Sequence, residues 1–143
     1  MKKVLLSILP LLLLSVFMLV SCDEESRKPP KFYTHSNELA KISKDNPTDC
    51  VEFGKALNKY YEANSEALKE SIPELAEKSF YTKPINIAYA LLMAGNIATF
   101  SRRVDDCSEK GGEEFENAIE KYKGIEGFNQ ALQNAVEYEN KNP

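Results

Sequence analysis

The side chains of this chain that are best suited to chemistry are three cysteines, one histidine and 22 carboxylates. The cysteines are Cys22, Cys50 and Cys107, and the histidine is His35. A thiol can be acylated, paired in a disulfide or used as a nucleophile, and the last role needs a base within hydrogen-bond distance. An odd number of cysteines leaves one thiol unpaired in an exported protein. The surroundings of each cysteine therefore decide its chemistry.

Cys22 ends an apolar N-terminal segment. Lys2 and Lys3 make its start positive, and the run from Val4 to Val20 carries no charge, which is the pattern of a signal peptide. Residues Leu19 to Cys22 resemble the lipobox of bacterial lipoproteins, in which an aliphatic residue, a small or aliphatic residue and a small residue precede the cysteine. The resemblance covers residues 1–22 alone.

This resemblance implies cleavage before Cys22, a diacylglyceryl thioether on its sulfur and an acyl group such as palmitate on the new amine. Two or three acyl chains hold a protein on a membrane almost permanently. The implied location is the bacterial cell envelope, on the outer membrane, the periplasmic face of the inner membrane or the cell surface. The alternative is an uncleaved membrane-spanning anchor, but the apolar run is near the lower length limit for a span and contains Pro10.

Acidic residues follow the lipobox directly, at Asp23, Glu24 and Glu25. In some bacterial lipoproteins an Asp at this place resembles a signal for retention in the inner membrane, and in others acidic residues here resemble a signal for export to the surface. A solvated acidic linker explains the same residues. The sequence leaves these alternatives open.

Lipidation of Cys22 would leave Cys50 and Cys107 as an even pair in a compartment that permits disulfides. We expect them to be bonded, and the closed loop predicts a stabilisation of about 4 kcal/mol in the chain-entropy model. The alternative is two unpaired buried thiols that pack as small apolar side chains.

The charge of the chain disfavours nucleic acid and anionic lipid head groups as partners. The full sequence has 18 basic and 22 acidic residues, a net charge of −4. Removal of residues 1–21 takes away two lysines and no acid, which makes the mature net charge −6. Binding to nucleic acid or to anionic lipid normally needs a basic face.

Helical periodicity predicts an all-α fold, a small antiparallel bundle of three or four helices behind a flexible N-terminal tether. The domains expected are a signal peptide at 1–21, an acylated flexible tether at 22–47 and a helical bundle at 48–143. Within the tether, the segment from Ser36 to Lys44 could form a brief helix with Ser36 as its N-cap. Thr48 or Asp49 is expected to cap the first helix, which ends before Pro73. The other predicted helices run from Pro84 to Cys107, where the chain is most apolar, from Glu113 to Lys123 and from Phe128 to Asn140. The last two are either one long helix kinked at its glycines or two helices in series.

The first and central predicted helices have similar lengths and a short connection, so we expect them to be antiparallel neighbours. Cys50 then meets Cys107. The same register predicts further close pairs along the hairpin, which are Phe53 with Val104, Leu57 with Phe100, Tyr61 with Gly95 and Ile72 with Ile85.

Catalysis and metal binding are not expected. His35 lies in the predicted tether, where a base is poorly held for a triad. Zinc would need carboxylates alone once the cysteines are paired. An acidic stretch could bind calcium, but its spacing does not match an EF-hand and a solvated helix end is favoured; it comprises Asp105, Asp106, Glu109, Glu113, Glu114 and Glu116. We therefore predict no enzymatic activity and no cofactor.

The function expected is that of a membrane-anchored protein-binding module, in its most specific form an immunity- or exclusion-type inhibitor of an incoming protein. Any exposed members of the tyrosines Tyr60, Tyr61, Tyr122 and Tyr138 would suit such a surface, although core packing is favoured. The alternative is a small-molecule or lipid-binding periplasmic lipoprotein. Its apolar cavity would be lined by Leu92, Ala94, Ala98 and Phe100.

Overall fold

The computed structural model of the chain describes residues 29–82 and 87–142. These residues form five α-helices and one short 3₁₀ helix, with no strand, so the all-α prediction is confirmed for this part of the chain. The elements are α1 (Lys31–Asp45), α2 (Cys50–Ala76), the 3₁₀ helix (Lys78–Thr82), α3 (Ile87–Cys107), α4 (Gly112–Lys123) and α5 (Phe128–Lys141). Within residues 29–82 and 87–142, no helix has the length and hydropathy of a membrane span.

Helix α1 lies where the sequence predicts a flexible tether, so the tether prediction is wrong for residues 31–45. The brief helix from Ser36 to Lys44 that the sequence allowed lies within α1, which is longer at both ends. Phe32 and Leu39 are buried in the core on one stripe of the helix. Ser36 and Ser43 share this stripe, and their hydroxyls donate to the carbonyls of Tyr33 and Leu39, each at 2.8 Å. Because these bonds satisfy the hydroxyls, polar residues can be buried here. The folded part therefore begins before residue 48.

Helix α2 begins as predicted and ends later than predicted. Asp49 is its N-cap, and Oδ1 of Asp49 accepts from the backbone N–H groups of Val51 and Glu52, each at 3.0 Å. The helix continues through Pro73 to Ala76. Leu75, which follows the proline, is almost fully buried. The free energy gained by this burial offsets the loss of the backbone hydrogen bond that proline cannot donate in the final turn.

The predicted hairpin of the first and central helices is wrong along most of its length. Helix α2 packs mainly on α4, α5 and α1, whereas α3 packs mainly on α5 and α1, and α2 and α3 share few close backbone contacts. Tyr61, expected near Gly95, instead contacts Tyr122 of α4, with ring centroids 5.2 Å apart. The predicted partner Ile85 and the predicted helix start at Pro84 lie outside the described residues.

An aromatic cluster fills the core between these helices. The ring of Phe53 in α2 lies 6.4 Å from Phe100 in α3 and 6.0 Å from Phe115 in α4. Tyr122 is fully buried, and its hydroxyl donates to the carbonyl of Leu57 at 3.2 Å. Phe128 lies 5.7 Å from the Tyr122 ring. These rings join α2, α3, α4 and α5 in one core.

Helices α4 and α5 are two separate helices in series, which is one of the two arrangements that the sequence predicts. Gly127 stands before α5 with a φ of +78°, in the left-handed region that glycine adopts without strain. A Cβ at this position would lie 2.9 Å from the Cβ of Ala76. Gly127 therefore allows the chain to turn while it touches the end of α2.

Candidate functional site

The outward side of the first half of α3 exposes an apolar surface, which we call the α3 face. It consists of Ile87, Ala88, Leu91, Leu92 and Gly95. The side chains of Ile87, Leu91 and Leu92 are 51%, 47% and 54% exposed. They recur at intervals of four and five residues, so they share one side of the helix. The α3 face is a continuous apolar stripe over more than two turns.

The sequence predicts that these side chains are buried, because it places Leu91 and Leu92 in the most buried helix. That prediction is wrong for this side of α3. The opposite side is buried through Ala90, Met93, Ala94 and Ile97. Since α2 is not a lateral neighbour of α3, mainly α1 and α5 flank it among the described helices, with a smaller contact to the 3₁₀ helix. The outward side of α3 is left uncovered by them.

The rim of the α3 face is polar and permits close approach. Arg102 pairs with Glu139 of α5 at 2.8 Å. The nearest atom to a Cβ placed on Gly95 would be Oε1 of Glu139, at 4.0 Å. A partner backbone could therefore come close to α3 at Gly95. Such a combination of apolar centre and polar rim is common where proteins bind proteins.

Helix α1 is attached to α2 and α3 by three side-chain hydrogen bonds, the longest of which runs from Nδ2 of Asn96 to the Ser36 hydroxyl at 3.5 Å. Nδ1 of His35 lies 2.6 Å from the hydroxyl of Tyr60 in α2, and Nδ2 of Asn96 in α3 donates to Oδ1 of Asn37 at 2.6 Å. His35 is 9% exposed, so its predicted position in a flexible tether is wrong. Its ring also packs near Phe32, with centroids 6.0 Å apart.

Burial changes the acidity of both members of the His35–Tyr60 pair. Desolvation lowers the pKa of His35 below 6.5, because burial disfavours the charged imidazolium. Desolvation, and secondly the charge of Glu38, raises the pKa of Tyr60 to about 12. Both groups are therefore neutral at pH 7. The neutral His35 ring packs near the rings of Phe32 and Tyr60 and is hydrogen-bonded to the Tyr60 hydroxyl. We therefore infer that the His35–Tyr60 pair holds α1 against α2.

We expect the stability of the protein to fall on acidification because of His35. The unfolded chain takes up a proton near pH 6.5, whereas the folded chain resists it until the pH reaches the lowered pKa. The contribution of neutral His35 is thus complete above pH 6.5 and is lost as the pH falls through the folded pKa. Urea unfolding at about pH 7.5 and about pH 5 measures it, and His35→Gln should show a smaller loss than the parent. An equal loss in both proteins would contradict the assignment.

The cysteines are placed as the sequence predicts where the structure describes them. Cys50 at the start of α2 and Cys107 at the end of α3 are in disulfide-bonding position, with Cα atoms 5.4 Å apart. Both are buried. This is one point where α2 and α3 do meet. Cys22, the predicted lipidation site, lies outside the described residues.

The carboxylates of the chain remain dispersed in the described part. Residues 29–82 and 87–142 contain no group of three His, Cys, Asp or Glu side chains that could hold a metal ion. The acidic stretch that begins at Asp105 crosses the turn between α3 and α4, where Glu113 and Glu114 occupy the first turn of α4. Carboxylates at a helix N-terminus interact favourably with the helix dipole.

The four tyrosines considered for a binding surface pack in the core or against it. Tyr122 is fully buried, and Tyr60, Tyr61 and Tyr138 pack against the core while partly exposed. Tyr138 of α5 lies against Tyr81 of the 3₁₀ helix, with ring centroids 5.3 Å apart. Core packing was the expectation favoured for these residues, and the α3 face contains none of them.

The four residues expected to line an apolar cavity do not face a common space. The side chain of Leu92 is 54% exposed, whereas Ala94, Ala98 and Phe100 are buried. An exposed side chain and three buried ones lie on different sides of α3. This arrangement gives no support to a cavity at this place.

Comparison with protein-family models, with curated proteins and with solved structures finds no match to this chain. Two features of the structure were missed in the sequence, the exposure of the α3 face and the buried side chain of Arg103. The sequence does contain an indication that part of α3 is exposed. The segment from Ile87 to Ala98 is apolar on nearly all sides, and a helix that packs mainly against two others cannot bury every side.

Proposed function

We propose that this protein is a lipid-anchored, helical protein of the bacterial cell envelope that binds a protein partner through the α3 face. The observation that carries the proposal is the exposure of Ile87, Leu91 and Leu92 on one side of one helix. Exposed large apolar side chains scattered singly are normal on a protein surface, but a contiguous group marks an interaction site. Val51 is such a single residue, 41% exposed on α2.

The proposed location is supported by the N-terminal residues. The lipobox-like residues Leu19 to Cys22 follow a charged start and an apolar run. The disulfide-bonding position of Cys50 and Cys107 agrees with an oxidising compartment such as the periplasm. An immunity- or exclusion-type inhibitor is the most specific form of the proposal, because such a protein acts at the envelope by binding one incoming protein.

The chemistry of the α3 face favours a protein partner over a lipid surface. The chain has a net charge of −4 before processing, and a negative protein is repelled by anionic head groups. Gly95 leaves room beside Leu91 and Leu92 for a close backbone approach. We therefore propose that the partner presents an apolar helix, whose side chains would pack between Ile87, Leu91 and Leu92.

The test of the binding proposal is a comparison of two surface variants. Leu91→Asp combined with Leu92→Asp places charge on the α3 face, and Val51→Asp places charge on an exposed apolar residue elsewhere. Each soluble domain is cross-linked in envelope extracts, and captured proteins are identified by mass spectrometry. We expect a partner that the parent and Val51→Asp capture equally and that the double variant captures at least tenfold less.

Three outcomes would contradict this proposal. If the double variant captures the partner as well as the parent does, the contact lies outside the α3 face. Concentration-dependent dimerisation in sedimentation, lost in the double variant, would show that the face joins two copies. Flotation of the acyl-free domain with liposomes, lost in the same variant, would show that it binds lipid. Circular dichroism of both variants checks that the helices are intact.

The proposed anchor is tested separately by intact-mass measurement of the native protein. We expect loss of residues 1–21 and a mass increase equal to a diacylglyceryl group plus an acyl chain on Cys22. Cys22→Ser should remain unprocessed and carry no lipid. An unprocessed N-terminus on the parent protein would overturn the anchor but would leave the binding proposal for the α3 face standing.

A further inference from the structure

Arg103 is a buried cation whose hydrogen-bonding capacity is largely unused. Its side chain extends from α3, and the residue is 9% exposed. Its Nε and Nη2 atoms are shielded from solvent and have no hydrogen-bond partner among the described residues. A guanidinium stays charged at every physiological pH, so it cannot escape burial by losing a proton. Buried charges are normally paired.

One contact offsets part of this desolvation. The Cζ atom of Arg103 lies 5.4 Å from the centroid of the Phe53 ring, within the range of a cation–π interaction. The ring attracts the positive charge but does not replace strong acceptors for the N–H groups. The donors at Nε and Nη2 therefore still lack acceptors, which is costly for buried polar groups.

Arg103 borders a cleft of about 220 Å³ between the end of α1 and the second half of α3. The other lining residues are Ser43, Pro47, Thr99, Arg102 and Asp106. The Ser43 hydroxyl donates to Leu39 at 2.8 Å, and the Thr99 hydroxyl donates to Gly95 at 2.9 Å. Since Arg102 is paired with Glu139, Arg103 is the lining residue with unused donors.

We propose that this cleft binds a carboxylate group through Arg103. The Nε and Nη2 atoms form one edge of the guanidinium, and their parallel N–H groups match the two oxygens of a carboxylate. Asp106 stands on the wall of the same cleft, so its negative charge disfavours a dianion such as phosphate. Because both nitrogens are shielded, the cleft side chains must shift slightly when the ligand enters.

The carboxylate could belong to a free small acid or to an Asp or Glu side chain of a protein. The volume of the cleft accommodates either. The site involves the end of α3 near the disulfide, whereas the α3 face occupies its first half, so the carboxylate site does not depend on the proposed function.

The test follows the Nε–H signal of Arg103 and the amide signal of Thr99 by ¹H–¹⁵N NMR in the disulfide-bonded domain. Acetate is the probe for a free acid, and glutamate blocked at both backbone ends is the probe for a protein side chain. Each is titrated at constant ionic strength against chloride. We expect saturable shifts with a Kd on the order of millimolar for a ligand of this size. The probe that binds more tightly indicates whether the natural carboxylate belongs to a free acid or to a protein side chain.

Matched variants separate a site from a general effect of salt. Arg103→Met should abolish the saturable shift of Thr99. Lys59→Gln removes a positive charge from the exposed side of α2, outside the cleft, and should retain the shift. Should Arg103→Met fail to fold, Arg103→Lys keeps the charge without the paired donors and is expected to weaken binding by at least about tenfold. Shifts that do not saturate, that chloride reproduces or that persist in the Arg103 variants would overturn the proposal.

Discussion

Removal of the Cys50–Cys107 bond is expected to lower the free energy of unfolding by about 4 kcal/mol. The two cysteines are separated by 57 positions in the sequence, so the bond excludes many extended conformations of the unfolded chain. It also joins α2 and α3, which share few close backbone contacts. Net stabilities of small domains are about 5 to 15 kcal/mol, so the change is a large part of the total.

Urea unfolding measures this effect in the parent and in the double variant Cys50→Ala with Cys107→Ala. Reductant added to the parent should lower the midpoint toward that of the double variant, and it should leave the double variant unchanged. A parent midpoint that does not respond to reductant or to the double substitution would show that the bond does not contribute. Circular dichroism before unfolding checks that both proteins are helical.

Substitution of Gly54 by alanine is expected to destabilise the protein by about 2 to 3 kcal/mol. A Cβ at Gly54 would lie 2.6 Å from Cα and 2.7 Å from N of Phe115, and 2.9 Å from the carbonyl carbon of Glu114. These are backbone atoms, which cannot rotate away as a side chain can. Helix α4 would have to move from α2, and the stacking of Phe53 on Phe115 would be disturbed.

Gly95→Ala is the matched control, since it makes the same change within a helix but meets no atom closer than 4.0 Å. Alanine is favoured over glycine inside a helix by up to about 1 kcal/mol, so this variant should be slightly more stable than the parent. Urea unfolding of both variants gives the comparison. Equal effects of the two substitutions would show that α2 and α4 are not in close backbone contact.

Local patterns predicted most helix positions correctly. The cap at Asp49, the end of α3 at Cys107 and the start of α5 at Phe128 all agree with the structure. Each depends on residues close together in the chain, such as a capping carboxylate or a glycine turn. For α1 the sequence indicates only a brief helix from Ser36 to Lys44 within a polar tether, because the segment has few apolar residues. The structure extends this helix to Lys31–Asp45, where the buried hydroxyls of Ser36 and Ser43 bond to their own helix.

The candidate sites could not be predicted in the same way. Exposure of Leu91 and Leu92 depends on which helices flank α3, and the sequence predicted α2 as the neighbour. The contact of Arg103 with Phe53 joins residues from two helices that are far apart in sequence. Such contacts are decided by packing over the whole core, which no local pattern records.

The sequence by itself determined the helical character, the positions of most helix ends and the pairing of Cys50 with Cys107, and it contains the lipobox-like residues on which the proposed anchor depends. Periodicity, capping and chemical identity are properties of short segments, so they can be read without a fold. The tertiary structure alone decided that α2 and α3 lie apart over most of their length, that α1 joins the core and that the α3 face remains outside. These outcomes follow from which helix surfaces bury the most apolar area together, and that choice involves all five helices at once.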